Sequence, residues 1–293
     1  MSSFSLEFSP IQEIIAEIAA GRLVIVADDP DRENEADLVG AASLCTAENV
    51  TFMAVHARGL ICAPITRERA EMLDLPPMTL RNREVQRTAF TVSVDAASGI
   101  STGISSADRC RTLLLLADAA ATADAFVQPG HVFPLQAMKG GTLRRAGHTE
   151  AAVDLARLAG LPPAGVICEI MNDDGTMARV GELGAYQKKH GLKACTIAQL
   201  IEHRRRSEKL VRCDQVVQMP TDYGDFRCHL YQIDTDGTHH LAMVMGEIDP
   251  EKPTLVRVHS ECLTGDVFLS KRCDSSVSAR KPKACGSEIK RRG

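Results

Sequence analysis

Hydrophobic and polar positions alternate along the N-terminal two-thirds of the chain in a pattern that predicts helices and strands in turn. Residues 9–20 place isoleucines on one helical face and stop at Gly21, which predicts a helix. Residues 22–27 (RLVIVA) are almost wholly apolar, as in a strand covered on both faces. Further helices are predicted at 46–58, 66–73, 105–121 and 147–159, and further strands at 59–65, 90–95, 131–137 and 165–171. This alternation indicates an α/β (α+β layered) domain.

The pattern changes after one more predicted helix. That helix begins at Thr196, whose spacing to Gln199 fits a capping box, and it runs into arginines that suit the negative end of a helix. Beyond it, short strands are predicted at 211–217, 226–233, 240–246 and 254–259, which is typical of a β-meander. We therefore predict one domain over 1–205, a β-rich segment over 206–274 and a basic, disordered tail over 275–293.

The composition is that of a folded, water-soluble protein. The 293 residues are 44% hydrophobic and 25% charged, with a net charge of −4. A mildly acidic chain argues against general nucleic-acid binding, and no apolar run is long enough to span a membrane. The N-terminus lacks the features of a secretory signal, so we expect a cytoplasmic protein whose ten cysteines are mostly reduced core thiols.

The densest chemical signal directly follows the strand predicted at 22–27. Six acidic residues fall within Asp28–Asp37, and open α/β sheets bind ligands where their strands end. Hard divalent cations prefer such oxygen ligands, and Arg32 in the same stretch could hold an anionic substrate. A solvated acidic turn is the alternative interpretation.

A second signal opens the helix predicted at 147–159. Two arginines, a glycine and Thr149 at a helix N-terminus favour a phosphate site, because backbone N–H groups, the helix dipole and guanidinium groups converge there. His148 could bind a metal through one ring nitrogen. An ordinary N-cap beside two surface arginines is the alternative.

Two isolated residues could transfer protons. His131 starts a predicted strand between turn-forming residues, although a lone histidine is often structural. Glu169 lies in the apolar strand VICEI, where burial would raise the pKa of its carboxyl group; a buried ion pair is the alternative. Acidic metal ligands, a phosphate anchor, a histidine and a poised carboxylate together suggest metal-assisted proton abstraction from a small sugar phosphate.

The segments that carry these signals resemble one enzyme family. They read RLVIVADDPDRENEADLV, GLICAPI, FTVSVDA, STGISSADR, PGHVFPL, RRAGHTEAAVDLARLAGLPPAGVICEI and NDDGTMAR. Over residues 9–203 they resemble 3,4-dihydroxy-2-butanone 4-phosphate synthase, a lyase of riboflavin biosynthesis. The resemblance implies a homodimer that converts D-ribulose 5-phosphate to L-3,4-dihydroxy-2-butanone 4-phosphate and formate with Mg2+, for which Mn2+ can substitute.

The resemblance also implies a role for each site residue. Glu33 and His148 would bind the metal, and His131 and Glu169 would transfer protons during enediolate formation, dehydration and skeletal rearrangement. The residues implied in substrate binding are Arg32, Glu33, Asp37, Cys62, Arg145, Ala146, Gly147, His148 and Thr149, of which Arg145 and Thr149 would hold the phosphate. The family usually has glycine at the position of Ala36, where a positive φ would be costly for alanine.

Residues 208–274 resemble the beginning of GTP cyclohydrolase II, through TDYGDFRCHLYQID, HLAMVMGEI and RVHSECLTGDVF. That family holds zinc with three cysteines spaced C-x10-C-x-C; here Cys262 and Cys273 keep the first interval, but Ser275 takes the third position. A neutral serine is a poor substitute for a thiolate, and the spacing of Cys285 is wrong, so zinc is not expected. We expect a shortened segment without GTP cyclohydrolase II activity.

Three functions compete for these features. The favoured one is a lyase with a vestigial C-terminal segment. A regulatory or docking partner of other riboflavin enzymes is the second, and a bifunctional synthase and GTP cyclohydrolase II is the third. The complete set of acidic, histidine and arginine site residues favours a working catalyst, whereas the missing third cysteine and the short C-terminal segment oppose the bifunctional enzyme.

Overall fold

A computed structural model describes residues 5–268 and 270 of the chain. The chain divides into two units between Leu210 and Val211. The boundary predicted between residues 205 and 206 falls inside the last helix of the first unit. The predicted tail at 275–293 lies outside the described residues, as do Cys273, Ser275 and Cys285.

The first unit is a layered α/β structure, which confirms the predicted fold class. Its described residues form α1 (Ile11–Ala19), β1 (Val24–Ala27), β2 (Ala36–Ala41), α2 (Ala47–Phe52), β3 (Cys62–Thr66), α3 (Arg67–Met72), β4 (Val94–Ala96), α4 (Ser106–Ala117), β5 (Phe126–Ala137), α5 (His148–Leu158), β6 (Gly165–Glu169), α6 (Gly184–His190), β7 (Ala194–Thr196) and α7 (Ile197–Ser207). The helix predicted at 46–58 is α2 followed by a wider π-helical turn over Met53–Ala57.

The strands form one mixed sheet in the order β4-β5-β3-β6-β2-β1-β7. β3 pairs with β5, and β1 with β7, in parallel; the other neighbours are antiparallel. Helices α2, α3 and α4 cover one face of the sheet, and α1, α5 and α7 cover the other. Every position of β1 is buried, as its apolar sequence predicts.

Local signals at the helix ends are confirmed. The isoleucine face of α1 is buried, and Gly21 follows the helix with a φ of 74°. At the start of α7, the Thr196 hydroxyl accepts a bond from the Gln199 backbone N–H (3.1 Å), and the Gln199 side chain accepts one from the Thr196 N–H (2.9 Å). These reciprocal bonds satisfy donors that a helix N-terminus otherwise leaves free.

Three elements of the first unit are not predicted by the hydrophobic pattern of the sequence. Strand β2 begins within the acidic stretch and contains Asp37, so the sequence conceals a run that is buried at every position. The short helix α6 and the three-residue strand β7 are too brief to show a period.

The second unit is a three-stranded antiparallel meander. Its strands β8 (Val211–Thr221), β9 (Gly224–Ile233) and β10 (His239–Val244) pair in chain order. The first three predicted strands are confirmed, but the strand predicted at 254–259 is wrong, because residues 253–262 form no regular element.

The described residues also bear on the expectations for cysteines and membranes. All eight cysteines that the structure describes are free thiols, and six are buried, which confirms that they serve mostly as core residues. Within the same residues, no helix has both the length and the apolar character needed to cross a membrane.

A buried charge cluster joins α7 to α5. Arg204 and Asp154 are 5% and 3% exposed. Arg204 donates to the Asp154 carboxylate (2.7 Å), to the Gly140 carbonyl (2.9 Å) and, through two nitrogens, to Glu208 (both 2.9 Å). Asp154 also accepts bonds from the N–H and hydroxyl of Thr142 (2.8 and 2.7 Å). Arg204 therefore points into the protein and compensates a buried carboxylate.

We expect Arg204→Ala to lower the free energy of unfolding of the first unit by about 3 to 5 kcal/mol, because the buried Asp154 then loses its hydrogen-bonded ionic partner and keeps only Arg157, at 3.8 Å. Arg206→Ala is the matched control, since Arg206 pairs with Glu202 on the surface and such pairs contribute about 0 to 1 kcal/mol. Urea unfolding followed by circular dichroism measures both variants. If both variants lost the same unfolding free energy, the stabilising role of the buried Arg204–Asp154 pair would be contradicted.

Candidate active site

The acidic stretch between β1 and β2 is an ordered loop built around Asp28. This side chain is fully buried and accepts bonds from the backbone N–H groups of Glu33 (3.2 Å) and Glu35 (3.0 Å) and from the guanidinium of Arg32 (3.0 Å). A solvated acidic turn would leave these carboxylates in water. The loop instead folds around one buried carboxylate, with Glu33 and Glu35 partly buried beside it, while Asp29 and Asp31 are exposed.

The backbone strain of this loop lies at Asn34. Asn34 has a φ of 55°, the left-handed region that asparagine tolerates better than most residues. Ala36 is already the first residue of β2 and pairs with Ala27 in an extended conformation. The expected positive φ at Ala36 is therefore wrong, and alanine at this position carries no conformational penalty.

His148, the first residue of α5, faces the loop with a defined tautomer. Its Nε2 lies 3.1 Å from the Val26 carbonyl oxygen. A carbonyl only accepts hydrogen bonds, so Nε2 carries the proton and Nδ1 presents its lone pair. Nδ1 lies 3.9 Å from Glu33 Oε2 and 3.8 Å from Asp37 Oδ1. Burial lowers the pKa of His148 to about 4, so the ring is neutral near neutral pH.

These donors fit a divalent cation. Ligand atoms of Asp28, Glu33 and His148 lie within 4.8 Å of one another, the one such cluster in the part of the chain that the structure describes. His148 Nδ1 lies 3.8–3.9 Å from the Glu33 and Asp37 carboxyl oxygens, which is too far for a hydrogen bond. Two ligands each about 2.1 Å from one Mg2+ can be up to about 4.2 Å apart. Asp28 accepts three bonds from the loop, whereas Glu33 accepts one, from Arg32. Glu33 therefore keeps more free acceptor capacity, and the predicted ligands are Glu33 and His148.

The sheet register brings the other predicted residues to one face. Asp37 of β2 pairs with Glu169 of β6. Cys62 of β3 pairs with Ile167, two positions before Glu169, and with Phe133, two positions after His131 on β5. Alternate residues of a strand point to the same side, so Asp37, Glu169, Cys62 and His131 share the sheet face that α5 covers.

Two of these residues are carboxyl groups whose ionisation is suppressed. Burial raises the pKa of Glu169, although its Oε2 accepts a bond from the Leu60 N–H (2.8 Å), which favours the charged form. Burial raises the pKa of Asp37 well above its usual range, and the neighbouring Glu169 and Glu33 add to the shift. The site therefore holds two carboxyl groups that keep their protons to a higher pH than exposed carboxyl groups do.

His131 is oriented by Asp95, a residue that sequence reasoning did not single out. The buried Asp95 carboxylate lies 2.6 Å from His131 Nδ1 and accepts a bond from the His131 backbone N–H (2.9 Å). Gly103, with a φ of 91°, packs against this pair, where a Cβ would overlap the carboxylate. With Nδ1 donating to Asp95, Nε2 is the proton-accepting atom of a ring that is 44% exposed. The sequence signal that could have identified Asp95 is its position as the acidic residue that ends the apolar run FTVSVD.

Arg145 stands just before α5 in a network of acceptors. Its guanidinium donates to Glu150 (2.7 Å), to the Gln86 carbonyl (3.1 Å) and to the Thr88 hydroxyl (3.3 Å). Gly147 is the N-cap of α5, and a Cβ there would overlap the Arg145 guanidinium. Three of the five N–H donors of Arg145 are thus occupied, which leaves two for a ligand.

The remaining predicted substrate residues lie around these groups. Thr149 is buried in the first turn of α5, and Ala146 is exposed immediately before the helix. Arg32 is held within the acidic loop, where it donates to Glu33 (2.7 Å) as well as to Asp28. The N-terminus of α5 is therefore bordered by the acidic loop and by Arg145.

Two protein-family models match the chain. The model for 3,4-dihydroxy-2-butanone 4-phosphate synthase matches residues 12–203, and the model for GTP cyclohydrolase II matches residues 212–283. The first match contains all seven strands of the mixed sheet and every predicted site residue. The second match includes the three-stranded meander except the first residue of β8.

Curated relatives are similar over most of this chain. Riboflavin biosynthesis protein RibBA of Aquifex aeolicus is 56% identical over 277 residues, which are 94% of this chain and 68% of that protein. RibBA of Salinispora tropica is 54% identical over 270 residues, 92% of this chain and 68% of that protein. RibBA of Bacillus subtilis is 53% identical over 268 residues, 91% and 67% respectively.

Solved structures share the fold. RibBX of A. baumannii, a two-domain 3,4-dihydroxy-2-butanone 4-phosphate synthase, has a TM-score of 0.79 and 44% identity and covers 93% of this chain and 79% of its own. A 3,4-dihydroxy-2-butanone 4-phosphate synthase in complex with two magnesium ions has a TM-score of 0.65 and 45% identity, covering 68% and 98%. This chain therefore belongs to the 3,4-dihydroxy-2-butanone 4-phosphate synthase family and is an enzyme of that activity.

Proposed function

We propose that the first unit binds Mg2+ through Glu33 and His148 and uses it to convert D-ribulose 5-phosphate to L-3,4-dihydroxy-2-butanone 4-phosphate and formate. The observation that carries this proposal is the lone pair of His148 Nδ1, which faces two carboxylates across a gap suited to a cation. The related synthase solved with two magnesium ions supports the choice of metal. Mn2+ is the proposed substitute, and the proposed working form is a cytoplasmic homodimer without nucleic-acid or membrane partners.

The cation would supply a positive charge where the substrate becomes negative after a proton is removed beside its ketone. The chain's own residues bind and orient the sugar phosphate. The N-terminal N–H groups of α5, Thr149 and the two remaining donors of Arg145 would hold the phosphate. Asp37 and Arg32 would contact the hydroxyl end, and Cys62 would line the same sheet face.

Two side chains divide the proton transfers. Nε2 of His131 accepts a proton, because Asp95 holds the proton of the ring on Nδ1. The carboxyl group of Glu169 donates one, because burial raises its pKa and keeps it protonated more readily than a surface glutamate. A reaction that changes protonation at several carbons requires both a base and an acid, and the face shared by these residues offers both.

We expect metal-dependent formate release from ribulose 5-phosphate that EDTA abolishes. Glu33→Gln replaces a charged ligand with a neutral amide of the same size, so kcat/KM should fall by more than about 100-fold. Glu71→Gln is the matched control, because Glu71 is an exposed residue paired with Arg67 and should leave the rate unchanged. A folded, Mg2+-loaded protein that releases no formate would exclude the lyase and favour the regulatory partner.

We expect Asp95→Asn to lower kcat by roughly 100-fold or more, because an amide does not hold His131 in one tautomer as the carboxylate does. The affinity for Mn2+, measured by electron paramagnetic resonance, should stay unchanged, since Asp95 makes its contacts with His131 and not with the acidic loop. Normal turnover in the folded variant would show that the reaction does not depend on Asp95 orienting His131.

The GTP cyclohydrolase II match over residues 212–283 raises a bifunctional enzyme as the second candidate. We propose instead that this chain does not hydrolyse GTP. Ser275 stands at the third position of the C-x10-C-x-C spacing that begins at Cys262, so the thiolates needed for zinc are incomplete.

We therefore expect no formate from GTP and less than one zinc per chain, with ribulose 5-phosphate as the positive control in the same formate assay. Ser275→Cys should raise the zinc content, because it completes the three-thiolate spacing. GTP turnover by the unaltered chain with stoichiometric zinc would establish the bifunctional enzyme.

A further inference from the structure

Arg179 contacts the acidic loop from a distant part of the chain. Its Nη1 donates to the carbonyl oxygens of Glu33 (2.8 Å) and Asn34 (3.4 Å) and lies 3.5 Å from Glu35 Oε1. These partners are 144 to 146 residues away in sequence. One guanidinium nitrogen therefore contacts three consecutive residues of the loop.

The contact completes the restraint on Glu33. The backbone N–H of Glu33 donates to Asp28 (3.2 Å), and its carbonyl accepts from Arg179 (2.8 Å). Its carboxylate accepts from Arg32 (2.7 Å) and faces His148. Both peptide groups that flank the Glu33 side chain are thus fixed, and Arg179 holds the one that leads into the positive φ of Asn34.

The backbone next to Arg179 is hydrogen-bonded to the chain at the end of β6. The preceding residue, Ala178, is buried and its N–H donates to the Ile170 carbonyl (3.1 Å), directly after Glu169. The Arg179 N–H donates to Glu182 (2.9 Å). Arg179 consequently links the end of β6, which carries Glu169, to the loop that carries Glu33.

We propose that Arg179 is a positioning residue that holds the acidic loop with the Glu33 carboxylate directed at His148, and so sets the affinity for the divalent cation. The inference rests on the proposed function in that Glu33 and His148 bind the metal. Arg179 acts through the Glu33 and Asn34 carbonyls, and its contacts are with the loop and not with His148.

Electrostatics alone predicts the opposite effect. Arg179 is a cation beside a cluster of carboxylates, so removing its charge would by Coulomb's law strengthen the binding of a second cation. Loss of positioning would weaken that binding, because Glu33 would no longer be held in place. The sign of the change in metal affinity therefore separates the two effects.

A merely structural role also predicts a different result. The Arg179 side chain is 48% exposed, and ion pairs at that exposure contribute little to the free energy of unfolding. Arg157 is an arginine of similar exposure, 43%, that pairs with Glu208 (2.6 Å) and lies 3.8 Å from Asp154, both away from the acidic loop. Its substitution controls for the general loss of a half-exposed arginine.

The test measures Mn2+ binding to the full chain by electron paramagnetic resonance for the unaltered protein and for Arg179→Gln, Arg179→Lys and Arg157→Gln. We expect the Kd for Mn2+ to rise by about 10-fold in Arg179→Gln. Arg179→Lys should recover part of the affinity, since lysine still donates to carbonyls, and Arg157→Gln should leave it unchanged. The thermal midpoint of Arg179→Gln should stay close to that of the unaltered protein, because Arg179 is half-exposed.

Formate release provides the second measurement. The rate of Arg179→Gln should be low at limiting Mg2+ and should approach the normal rate at saturating Mg2+. An unchanged or lower Kd for Mn2+ in Arg179→Gln would overturn the inference, and so would an unaltered chain that does not bind Mn2+. If the unaltered chain binds Mn2+ but releases no formate, the proposed reaction fails, while the Mn2+ affinities still decide the role of Arg179.

Discussion

The bond between His148 Nε2 and the Val26 carbonyl, 3.1 Å long, determines which atom of the ring faces the acidic loop. Because the carbonyl requires a donor, Nδ1 has no proton and turns a lone pair toward Glu33 and Asp37. Burial keeps the ring neutral, so the histidine carries no charge that would repel a cation. A divalent cation between Nδ1 and Glu33 would accept the lone pair of the ring and pair with the Glu33 carboxylate.

The mixed sheet explains how so many polar groups come to lie together. β2 enters antiparallel between β1 and β6, which places Asp37 directly opposite Glu169. The same insertion turns the chain back over the end of β1, so the acidic loop must lie close to the N-terminus of α5. Proton-transfer groups, metal donors and the helix N-terminus thus come from separate segments that a single sheet face supports.

Three parts of the predicted site are held by residues to which the resemblance assigns no role. Asp95 orients His131, Glu150 binds Arg145, and Asp28 organises the acidic loop. Such partners fix side-chain rotamers before a ligand arrives, so less conformational freedom is lost when the ligand binds. They also satisfy polar atoms whose burial would otherwise cost free energy.

The sequence by itself determined the features that depend on near neighbours: the buried strand β1, the isoleucine face of α1, the capping box at Thr196 and the chemical character of the acidic stretch. It did not reveal β2, which begins inside a stretch of acidic residues that resembles a loop, or the partnership of Arg179 with Glu33. Only the tertiary structure decided these. Hydrophobic periodicity indicates which side of an element is buried, but it does not tell which strands become neighbours, and in this mixed sheet strand order departs from chain order.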